Sequence, residues 1–420
     1  MRQKNTLLLT LCLFFCIAIF CSTSAIAGGY STNLYSTSGL GNSYAGSATG
    51  VHDVSDIFFN PSLTAGSENS QFVASMSHLR INVDADNVSG TNSGGSISGK
   101  EIKDAGADAT IPAIYLTSPI DKKTSLNLAI TSPFGLATKY DSNWVGRYRG
   151  IESSITTANV NPSISRKINE DLAVGFGVQI QYTKMLLTKA IFTGGADGFG
   201  KTSGEDVGYG YNFGGSYKIN EYTKFGIGYK SKIDYKIKGI TTIQGLGSPL
   251  SNSYEFDAKT TTPESVTTGL AFNPTKRVEL VSDVTWTRWS RLQNLTVKNH
   301  NTPNSSIAED RTTFNWHDSF LYSIGGNFVL NSKSLVRTGA AYEKDATATS
   351  TREPRLPTGD RVWLSFGFSH KFKENLTLDA SYIHQFFRAA KVDLSDANGT
   401  LSAKYKTKSD IFSLAVRKDF

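Results

Sequence analysis

One stretch of the sequence matches the pattern of a phosphate-binding loop. Gly195-Ala-Asp-Gly-Phe-Gly-Lys201-Thr202 places glycines ahead of a Lys-Thr pair at the spacing of a P-loop. In a P-loop the backbone amides cradle phosphates and the chain continues directly into a helix. Here residues 209–217 instead alternate in the manner of a strand. We therefore interpret the glycine run as a flexible loop and expect no nucleotide binding.

The histidines and cysteines form no signature of a metal centre or of covalent catalysis. No H-E-x-x-H spacing connects the six histidines, which are His52, His78, His300, His317, His370 and His384. The three cysteines are Cys12, Cys16 and Cys21, all before residue 28. A Ser-His-acid triad is defined by geometry rather than by spacing, and nothing in the sequence points to one. The sequence therefore predicts no enzyme activity, no metal and no cofactor.

The N-terminus has the three parts of a secretory signal. Arg2 and Lys4 precede an apolar run over residues 7–20, and Ala25-Ile-Ala27 supplies small residues for cleavage. The signal peptide is thus predicted over residues 1–27, and the mature chain is expected to begin at Gly28 without cysteine. No later stretch offers about 18 consecutive apolar residues. Any membrane span after residue 27 must therefore be a β-barrel.

The charged residues do not form the basic patch of a nucleic-acid-binding protein. The formal charge of +7 falls by two when Arg2 and Lys4 are removed. The remaining positive residues are spread along the chain, whereas nucleic-acid binding requires them clustered on one face. We therefore expect no nucleic-acid partner and only a mild attraction to anionic surfaces or acids.

Short turns alternate with long polar stretches from about residue 70 to the end. Fourteen extended segments lie near Ser70, Ala109, Thr124, Glu152, Asp171, Gly208, Tyr222, Pro263, Arg277, Ser319, Ser334, Asp360, Asn375 and Lys408. Tight connections lie at residues 120–123, 168–171, 219–222, 273–276, 331–333 and 372–375, and longer polar stretches include residues 84–108, 238–262 and 288–318. Short turns at one end and long loops at the other are typical of outer-membrane barrels. The predicted fold is all-β, a fourteen-stranded antiparallel transmembrane β-barrel.

Alternation within the segments supports a membrane barrel. In residues 376–382 one face reads Leu-Leu-Ala-Tyr and the other reads Thr-Asp-Ser, and residues 225–230 and 412–417 repeat the pattern. One such segment equally fits a half-buried strand of a soluble protein, whereas fourteen in succession fit a barrel whose apolar face meets lipid. A water-filled porin, or a barrel that anchors adhesin or phage-receptor loops, is an alternative to a transporter.

A glycine-rich segment that does not fit a strand precedes the barrel. It contains Ser38-Gly-Leu-Gly-Asn-Ser-Tyr-Ala-Gly46 and, further on, Asn60-Pro61-Ser62. In these motifs the chain resembles the FadL family of outer-membrane long-chain fatty-acid and hydrocarbon transporters, which carry a similar Ser-Gly-Leu-Gly stretch and an Asn-Pro-Ala motif. Further matches to the family follow in order at residues 132–140, 286–290 and 357–364.

The resemblance implies a barrel over residues 70–420 whose lumen is plugged by a hatch over residues 28–69. It implies passive uptake of hydrophobic compounds, with long-chain fatty acids favoured, across the bacterial outer membrane. The ligand would pass from the external loops to an inner pocket and leave sideways through a kinked third strand. A simple porin has no use for the segment ahead of the first strand.

The third extended segment contains residues that interrupt strand pairing. Residues 125–131 alternate as a strand, and Pro133, Phe134 and Gly135 follow. Proline cannot donate to a sheet ladder, and glycine within a strand often marks a bulge. The residues alone fit either the end of the strand or a kink. The resemblance implies a kink, because the family has its lateral opening in the matching strand.

Candidate ligand contacts follow from the chemistry of a carboxylate in an apolar lumen, which needs a cation or several donors. Lys189 matches by resemblance a basic position of the family's inner pocket, and Arg337 is a second candidate; the alternative for both is a solvated charge. Candidates for the acyl path are Phe134, Leu136 and Trp144, together with Trp286 and Trp289. Asp360 and Arg361 match the family's strand-opening pair, or form a structural salt bridge.

The chain ends on Phe420, with Phe412, Leu414 and Val416 at alternate positions before it. This pattern resembles the terminal signal read by the barrel assembly machinery, although Lys418 occupies a position that is usually apolar. The expected partners are long-chain fatty acids or aromatic hydrocarbons, outer-membrane lipid and lipopolysaccharide, and the assembly machinery. We expect the protein to be a monomer.

Overall fold

Strands with alternating apolar and polar side chains close into one antiparallel barrel. The computed structural model describes residues 29–396 and 399–420, so the predicted signal peptide lies outside the described residues. Within these residues each barrel strand pairs with the next, and the last pairs with the first along nearly its whole length. The predicted closed barrel of fourteen antiparallel strands is confirmed. No helix in the described residues is long and apolar enough to cross a membrane.

The barrel strands are numbered β1 to β14 in chain order, and some consist of two segments separated by a short break. Their bounds are Gln71–Asn92 (β1), Ala109–Pro119 (β2), Thr124–Thr131 with Gly135–Lys139 (β3), Glu152–Lys167 (β4), Leu172–Ile191 (β5), Gly198–Lys218 (β6), Thr223–Lys230 with Ile233–Gln244 (β7), Ser253–Thr262 with Ser265–Thr275 (β8), Val278–Thr287 with Asn294–Asn299 (β9), Glu309–Thr313 with Ser319–Val329 (β10), Ser334–Glu343 (β11), Arg361–Lys373 (β12), Leu376–Phe387 with Ala390–Asp396 (β13) and Gly399–Asp419 (β14). Short helical turns lie at Thr37–Leu40, Val54–Phe58, Trp289–Arg291, Ser305–Ile307 and Thr349–Thr351, and Gly95–Ser96 pairs with the end of β1.

The outer face of the barrel carries an apolar belt. In β13, Leu378 and Tyr382 are 41% and 39% exposed, whereas Asp379 is 2% exposed and belongs to the inner face. Phe176 and Ile180 of β5 lie on the outer face in the same way. An outward apolar band with a polar interior is the pattern of a membrane barrel. The alternation therefore places lipid outside and the polar side chains inside.

The tight turns lie at the end of the barrel where β1 begins and β14 ends. The backbone N–H of Phe420 donates to the carbonyl of Ser70 at 2.9 Å at this end. In the turn after β2, the Asp121 carboxylate accepts a hydrogen bond of 2.7 Å from the N–H of Lys123. Side chains that cap their own backbone in this way stabilise very short turns. In outer-membrane barrels the short turns face the periplasm, so the opposite end is the external one.

At the external end the strands run further than the sequence pattern predicts. Of the polar stretches that we expected to be long loops, residues 238–262 are largely strand, and residues 84–108 are strand over 84–92 and 95–96. β1 continues to Asn92, and only residues 245–252 separate β7 from β8. The barrel wall therefore continues outward as a sheet, beyond the apolar belt.

The polarity of this external part of the wall is inverted. In β7, Tyr235 and Ile237 are buried on the inner face, while Lys236 and Lys238 are exposed on the outer face. A sheet that stands in water buries its apolar side chains on the side away from water. The polar residues on the outer face of this part of the wall therefore indicate a strand that contacts water, and they do not indicate a loop.

Residues 29–69 fold inside the lumen and pack closely against glycines of the wall. A Cβ atom at Gly226 would overlap the carbonyl oxygen of Ala48, and one at Gly228 would overlap that of Phe59. Only glycine permits such a close approach of two backbones. The alternation of small residues in β7 thus serves the contact between the wall and this N-terminal segment, which we call the hatch.

Buried hydrogen bonds fix the hatch to the wall. The Asp283 carboxylate of β9 accepts from the N–H groups of Gly46 and Ala48, both at 2.8 Å. The Asn60 side-chain amide donates to the carbonyl of Gly215 in β6 at 3.0 Å. Leaving a buried polar group unpaired costs about 1–3 kcal/mol. The hatch is therefore held in one defined position in the lumen.

Candidate ligand cavity and wall opening

An apolar cavity occupies the external half of the lumen, above the hatch. The space there that is not filled by protein atoms, including the part open to solvent, is roughly 1080 Å³. Its apolar lining comes from β3, β4, β5, β7 and β9 and from aromatic side chains near the mouth, and includes Leu136, Ile155, Met185, Ile237, Val297 and Trp316. Except for Trp316, which lies between the two segments of β10, these residues belong to strands of the wall. The upper cavity, as we call it, is therefore suited to an apolar molecule.

Charged side chains meet at one side of the upper cavity. Arg355 lies in the loop between β11 and β12, where its guanidinium donates to Ser153 Oγ at 2.6 Å and to the carbonyl of Thr188 at 3.3 Å. Glu353 and Asp310 line the same cavity. Burial raises the pKa of Glu353 to about 7. The cavity thus combines apolar walls with one guanidinium at its side.

The two basic residues selected from the sequence lie elsewhere in the lumen. Lys189 Nζ is 2.7 Å from a carboxylate oxygen of Asp310, which lines the upper cavity, whereas Lys189 is not one of the lining residues. Arg337 is 3% exposed and its Nη1 is 3.2 Å from Asp379 Oδ1. Arg337 also lies against Gly41 of the hatch. The geometry therefore gives Arg337 a contact with the hatch and leaves Arg355 as the arginine that faces the apolar space.

Sequence reasoning missed Arg355 because alternation assigns faces only to strand residues, and Arg355 is in a loop. The loop folds into the lumen, where the carbonyls of Pro354 and Arg355 accept hydrogen bonds from Tyr140 and Thr138. One signal was available in the sequence. Arg355 lies in a stretch with two prolines and a leucine, Pro354-Arg-Leu-Pro357, which is an unusual composition for a loop in contact with water.

A second cavity lies deeper, between the hatch and the wall. Tyr35 and Phe58 of the hatch line it on one side, and Pro133, Phe134 and Lys230 line it on the other. The Lys230 ammonium lies over the ring of Phe58, which is a cation–π contact. This lower cavity reaches the point where β3 is interrupted.

β3 contains one residue more than its partner strand at the interruption. Thr131 pairs with Asn159 of β4, but Gly135 pairs with Thr156, so the register shifts by one residue. The Thr157 hydroxyl replaces the missing backbone partner, because it accepts from the N–H of Phe134 at 3.0 Å. An extra residue in one strand of an antiparallel pair is a β-bulge, which bends the strand and breaks the ladder.

The other edge of the interrupted strand loses its partner. The ladder between β2 and β3 ends where Ile114 pairs with Ile130. The backbone contacts across this seam resume at the bridge of Gly106 with Thr138. Between these two points the described residues of β2 and β3 have no backbone pairing, so the ladder of the wall has a gap. Of the residues predicted there, Phe134 lines the lower cavity and Leu136 lines the upper one.

The start of the hatch covers this opening from inside. The N–H of Thr32 donates to the carbonyl of Pro133 at 3.0 Å, and the N–H of Gly135 donates to the carbonyl of Tyr30 at 2.7 Å. The ring of Tyr30 packs edge-on against Phe134 at a centroid distance of 5.6 Å. The N-terminal segment therefore lies like a short extra strand behind the bulge and separates the two cavities.

The remaining sequence candidates have structural contacts. Trp144 stacks on Tyr140 with ring centroids 4.3 Å apart. Arg361 Nε donates to the Glu343 carboxylate at 2.8 Å, and the Asp360 carboxylate accepts from the N–H of Asp345 at 2.9 Å. Trp286 Nε1 donates to Asp318 at 3.0 Å, and Trp289 packs on Tyr30. Arg361 thus bonds to the end of β11, and Asp360 bonds to the chain that follows β11.

In the described residues the glycine run leads into a strand, and the histidines do not gather into a metal site. Gly198 begins β6, so Lys201 and Thr202 lie within a strand and do not open a helix. His52 Nδ1 lies 2.9 Å from Asp56 in the hatch. Among residues 29–396 and 399–420, no group of three or more His, Asp or Glu side chains could hold a metal ion.

A closed barrel with an apolar outer belt, an internal plug and an apolar cavity defines a class of protein, the outer-membrane transporters of hydrophobic compounds. The comparison with known families agrees with this class. The chain belongs to the family described as outer membrane protein transport protein (OMPP1/FadL/TodX), whose sequence model matches residues 18–420. The resemblance drawn from the sequence motifs is therefore confirmed.

Curated relatives match most of the chain. The chain is 26% identical over 393 residues to outer membrane protein P1 of Haemophilus influenzae, and this match covers 83% of this chain and 84% of the relative. It is 25% identical over 413 residues to the long-chain fatty acid transport protein of Escherichia coli K12, and this match covers 86% of this chain and 89% of the relative.

Solved structures have the same fold. A FadL homologue of Pseudomonas aeruginosa superposes with a TM-score of 0.86 at 23% identity, over 94% of this chain and all of that one. The toluene transporter TbuX of Ralstonia pickettii superposes with a TM-score of 0.68 at 17% identity, over 92% of this chain and 98% of the other. At these identities the likeness concerns the fold alone.

Proposed function

We propose that this protein takes up long-chain fatty acids across the outer membrane by passive diffusion and releases them sideways into the bilayer. The observation that carries the proposal is the upper cavity, an apolar space with the guanidinium of Arg355 at its side. A fatty acid has the complementary pair of features, an apolar chain and one carboxylate. A purely aromatic hydrocarbon has no carboxylate to offer the guanidinium.

The charges around the cavity favour an anion when Glu353 is protonated. Lys189 and Asp310 form one ion pair and neutralise each other. Arg355 then faces Glu353, whose pKa is raised to about 7 by burial. A buried charge needs a counter-charge or hydrogen-bond donors. A ligand carboxylate beside Arg355 would supply the negative charge while Glu353 holds a proton.

The bulge in β3 supports the sideways release. The lower cavity reaches Pro133 and Phe134, and the seam between β2 and β3 lacks backbone pairing between Ile130 and Thr138. A ligand that moves from the upper to the lower cavity must displace Tyr30, whose carbonyl is held by Gly135. The acyl chain would then leave through the seam into lipid, where it is soluble, without crossing the hatch.

The experiment that tests the function is uptake of labelled oleate and labelled toluene by a strain that lacks the gene. Complementation with the wild-type protein is expected to restore oleate uptake. Arg355→Met is expected to lower oleate uptake on the order of tenfold, because a charge-assisted hydrogen bond contributes about 1.5–3 kcal/mol, and to leave toluene uptake within about twofold.

Arg147→Met is the matched control for this experiment, since Arg147 is an arginine of an external loop paired with Asp197 at 2.6 Å. This control should transport oleate like the wild type. Equal oleate uptake by the deletion strain and its parent would refute the transport proposal. Normal oleate uptake by Arg355→Met would refute the assignment of Arg355 alone.

Fatty-acid affinity is expected to rise as the pH falls from 8 to 6. The pKa of Glu353 in the free protein is about 7, and a carboxylate bound nearby would raise it further, so binding takes up a proton. Proton-linked binding strengthens as the pH falls towards the pKa of the free group, by at most about tenfold per pH unit. Titrations of a fluorescent fatty acid at pH 6, 7 and 8 measure the effect.

Glu353→Gln should bind tightly at all three values and lose most of the pH dependence, because glutamine remains neutral. A wild-type affinity that does not change between pH 6 and pH 8 would contradict the role of Glu353. A loss of affinity at low pH would contradict the sign of the linkage.

A further inference from the structure

Two lysines face each other directly on the outer surface of the external wall. Lys236 of β7 and Lys259 of β8 are opposite partners in the antiparallel ladder. Both side chains are exposed, on the face opposite to that of the buried Tyr235. Like charges placed directly opposite each other in a sheet are destabilising. An anion between the two ammonium groups would remove this repulsion.

The carboxylates around this lysine pair already have other partners. Asp234 bonds to Lys232 at 2.6 Å, and Asp257 bonds to His300 at 2.8 Å. Glu205 accepts from the Tyr182 hydroxyl at 2.5 Å. Among the described residues no carboxylate oxygen lies within 4.0 Å of the ammonium group of Lys236 or Lys259. Asp206 accepts from the backbone N–H of Lys236 at 2.7 Å and not from its ammonium group, so neither ammonium group of the pair has a carboxylate partner.

The pair lies just beyond the external edge of the apolar belt. The neighbouring Lys238 is opposite Glu205 of β6 in the strand ladder. Moving along β6 towards the periplasm, the next two residues on its outer face are Val207 and Tyr209, which are 43% and 69% exposed. Large exposed aromatic side chains mark the membrane interface of a barrel. The lysines are therefore at the level of the lipid headgroups of the outer leaflet.

The same surface is concave. A shallow groove on the outer wall is lined by Lys236, Lys238, Ile240, Glu255, Asp257 and His300. The groove offers the ammonium groups of Lys236 and Lys238, the carboxylates of Glu255 and Asp257, and the side chain of Ile240, which is 46% exposed. Lys259 is opposite Lys236 in the ladder but is not one of the residues that line the groove. A headgroup that carries phosphate has the charge to match the lysines.

We propose that Lys236 and Lys259, with Lys238 beside them, bind the phosphate groups of a phosphorylated lipid in the outer leaflet. Lysine ammonium groups are common phosphate ligands, and each basic residue near an anionic lipid surface contributes about 1 kcal/mol of attraction. The site would hold one face of the barrel in contact with a particular lipid. It does not depend on the proposed fatty-acid transport.

The opposite side of the barrel supplies an internal comparison. On β13, Lys391 Nζ is 2.7 Å from Asp393, and on β14, Lys406 Nζ is 2.6 Å from Asp86 of β1. These exposed lysines also lie in the external part of the wall, but each has a carboxylate partner. Variants at Lys391 and Lys406 are therefore matched controls of equal charge change.

The test is titration of the purified full-length mature protein in detergent with diphosphoryl lipid A, read by native mass spectrometry. Lys236→Gln with Lys259→Gln is expected to weaken lipid binding on the order of tenfold. Lys391→Gln with Lys406→Gln should stay within about twofold of the wild type. Lys236→Arg with Lys259→Arg should restore binding, and lipid A without phosphate should bind the wild type and the Gln variant equally.

Three outcomes would overturn the proposal. The first is unchanged affinity of the Gln variant for diphosphoryl lipid A, and the second is an equal loss for the control variant. The third is full competition by millimolar inorganic phosphate, which would indicate a site for free phosphate. Because oleate uptake by the Gln variant is expected to remain normal, a failure here is distinguishable from a failure of the transport proposal.

Discussion

A barrel that carries Pro133→Val and Gly135→Thr is expected to fold and to lose most of its fatty-acid uptake. Both replacements favour continuous strand pairing, so β3 should pair with β2 beyond Ile130 and close the seam. The expected loss is tenfold or more in the initial rate of oleate uptake, because the sideways path has no substitute through the hatch. Heat-modifiable mobility on gels measures whether the barrel has folded.

Pro162→Val is the matched control, since Pro162 lies in β4 at a position of regular register opposite Leu128. It removes a proline from a barrel strand without touching the bulge. Uptake by this control should equal that of the wild type. A folded Pro133→Val, Gly135→Thr barrel with normal uptake would show that the fatty acid does not leave at this seam.

Removal of residues 28–69 behind the signal peptide is expected to convert a barrel of low conductance into an open channel. The hatch fills the lumen between the glycines of β7 and Asp283 of β9, and a barrel of fourteen strands is wide enough to conduct ions once it is empty. Planar bilayers measure the result. The intact protein should give little steady current, and the deletion should give large, long-lived steps.

Two glycine variants distinguish the effect of displacing the hatch from the effect of damaging the wall. Gly226→Val should displace the hatch, because a side chain there overlaps the carbonyl of Ala48, and should raise the conductance. At Gly215 an added Cβ would find its nearest atom at 3.7 Å, so Gly215→Val should conduct like the wild type. Large steady currents from the intact wild-type protein would favour an open porin.

The barrel was predictable because each strand repeats the same physical requirement, an apolar face towards lipid and a polar face inward. Leu378 and Asp379 have opposite exposures for that reason. The tight turns were predictable because they depend on local side chains, as Asp121 shows. The interruption at Pro133 and Gly135 was visible for the same reason, since both residues act on their own backbone.

The cavity chemistry was not predictable in the same way. Arg355 faces the lumen because a whole loop folds inward, and its position depends on contacts with strands far away in the chain, such as Ser153. The sequence suggested Arg337 as a cation for a ligand carboxylate, but Arg337 contacts Asp379 and the hatch. The external wall escaped prediction because its inner face is apolar and its outer face is polar, which is the reverse of the membrane part.

The length of the strands has a consequence for where a solute is captured. β1 has 22 residues and β14 has 21, and at about 3.3 Å per residue and a tilt near 45° such strands rise roughly 50 Å along the barrel axis. The apolar band of a membrane barrel is only about 25 Å tall. The mouth therefore stands well outside the bilayer, in water. A hydrophobic compound can leave water for protein there, without first dissolving in the outer leaflet.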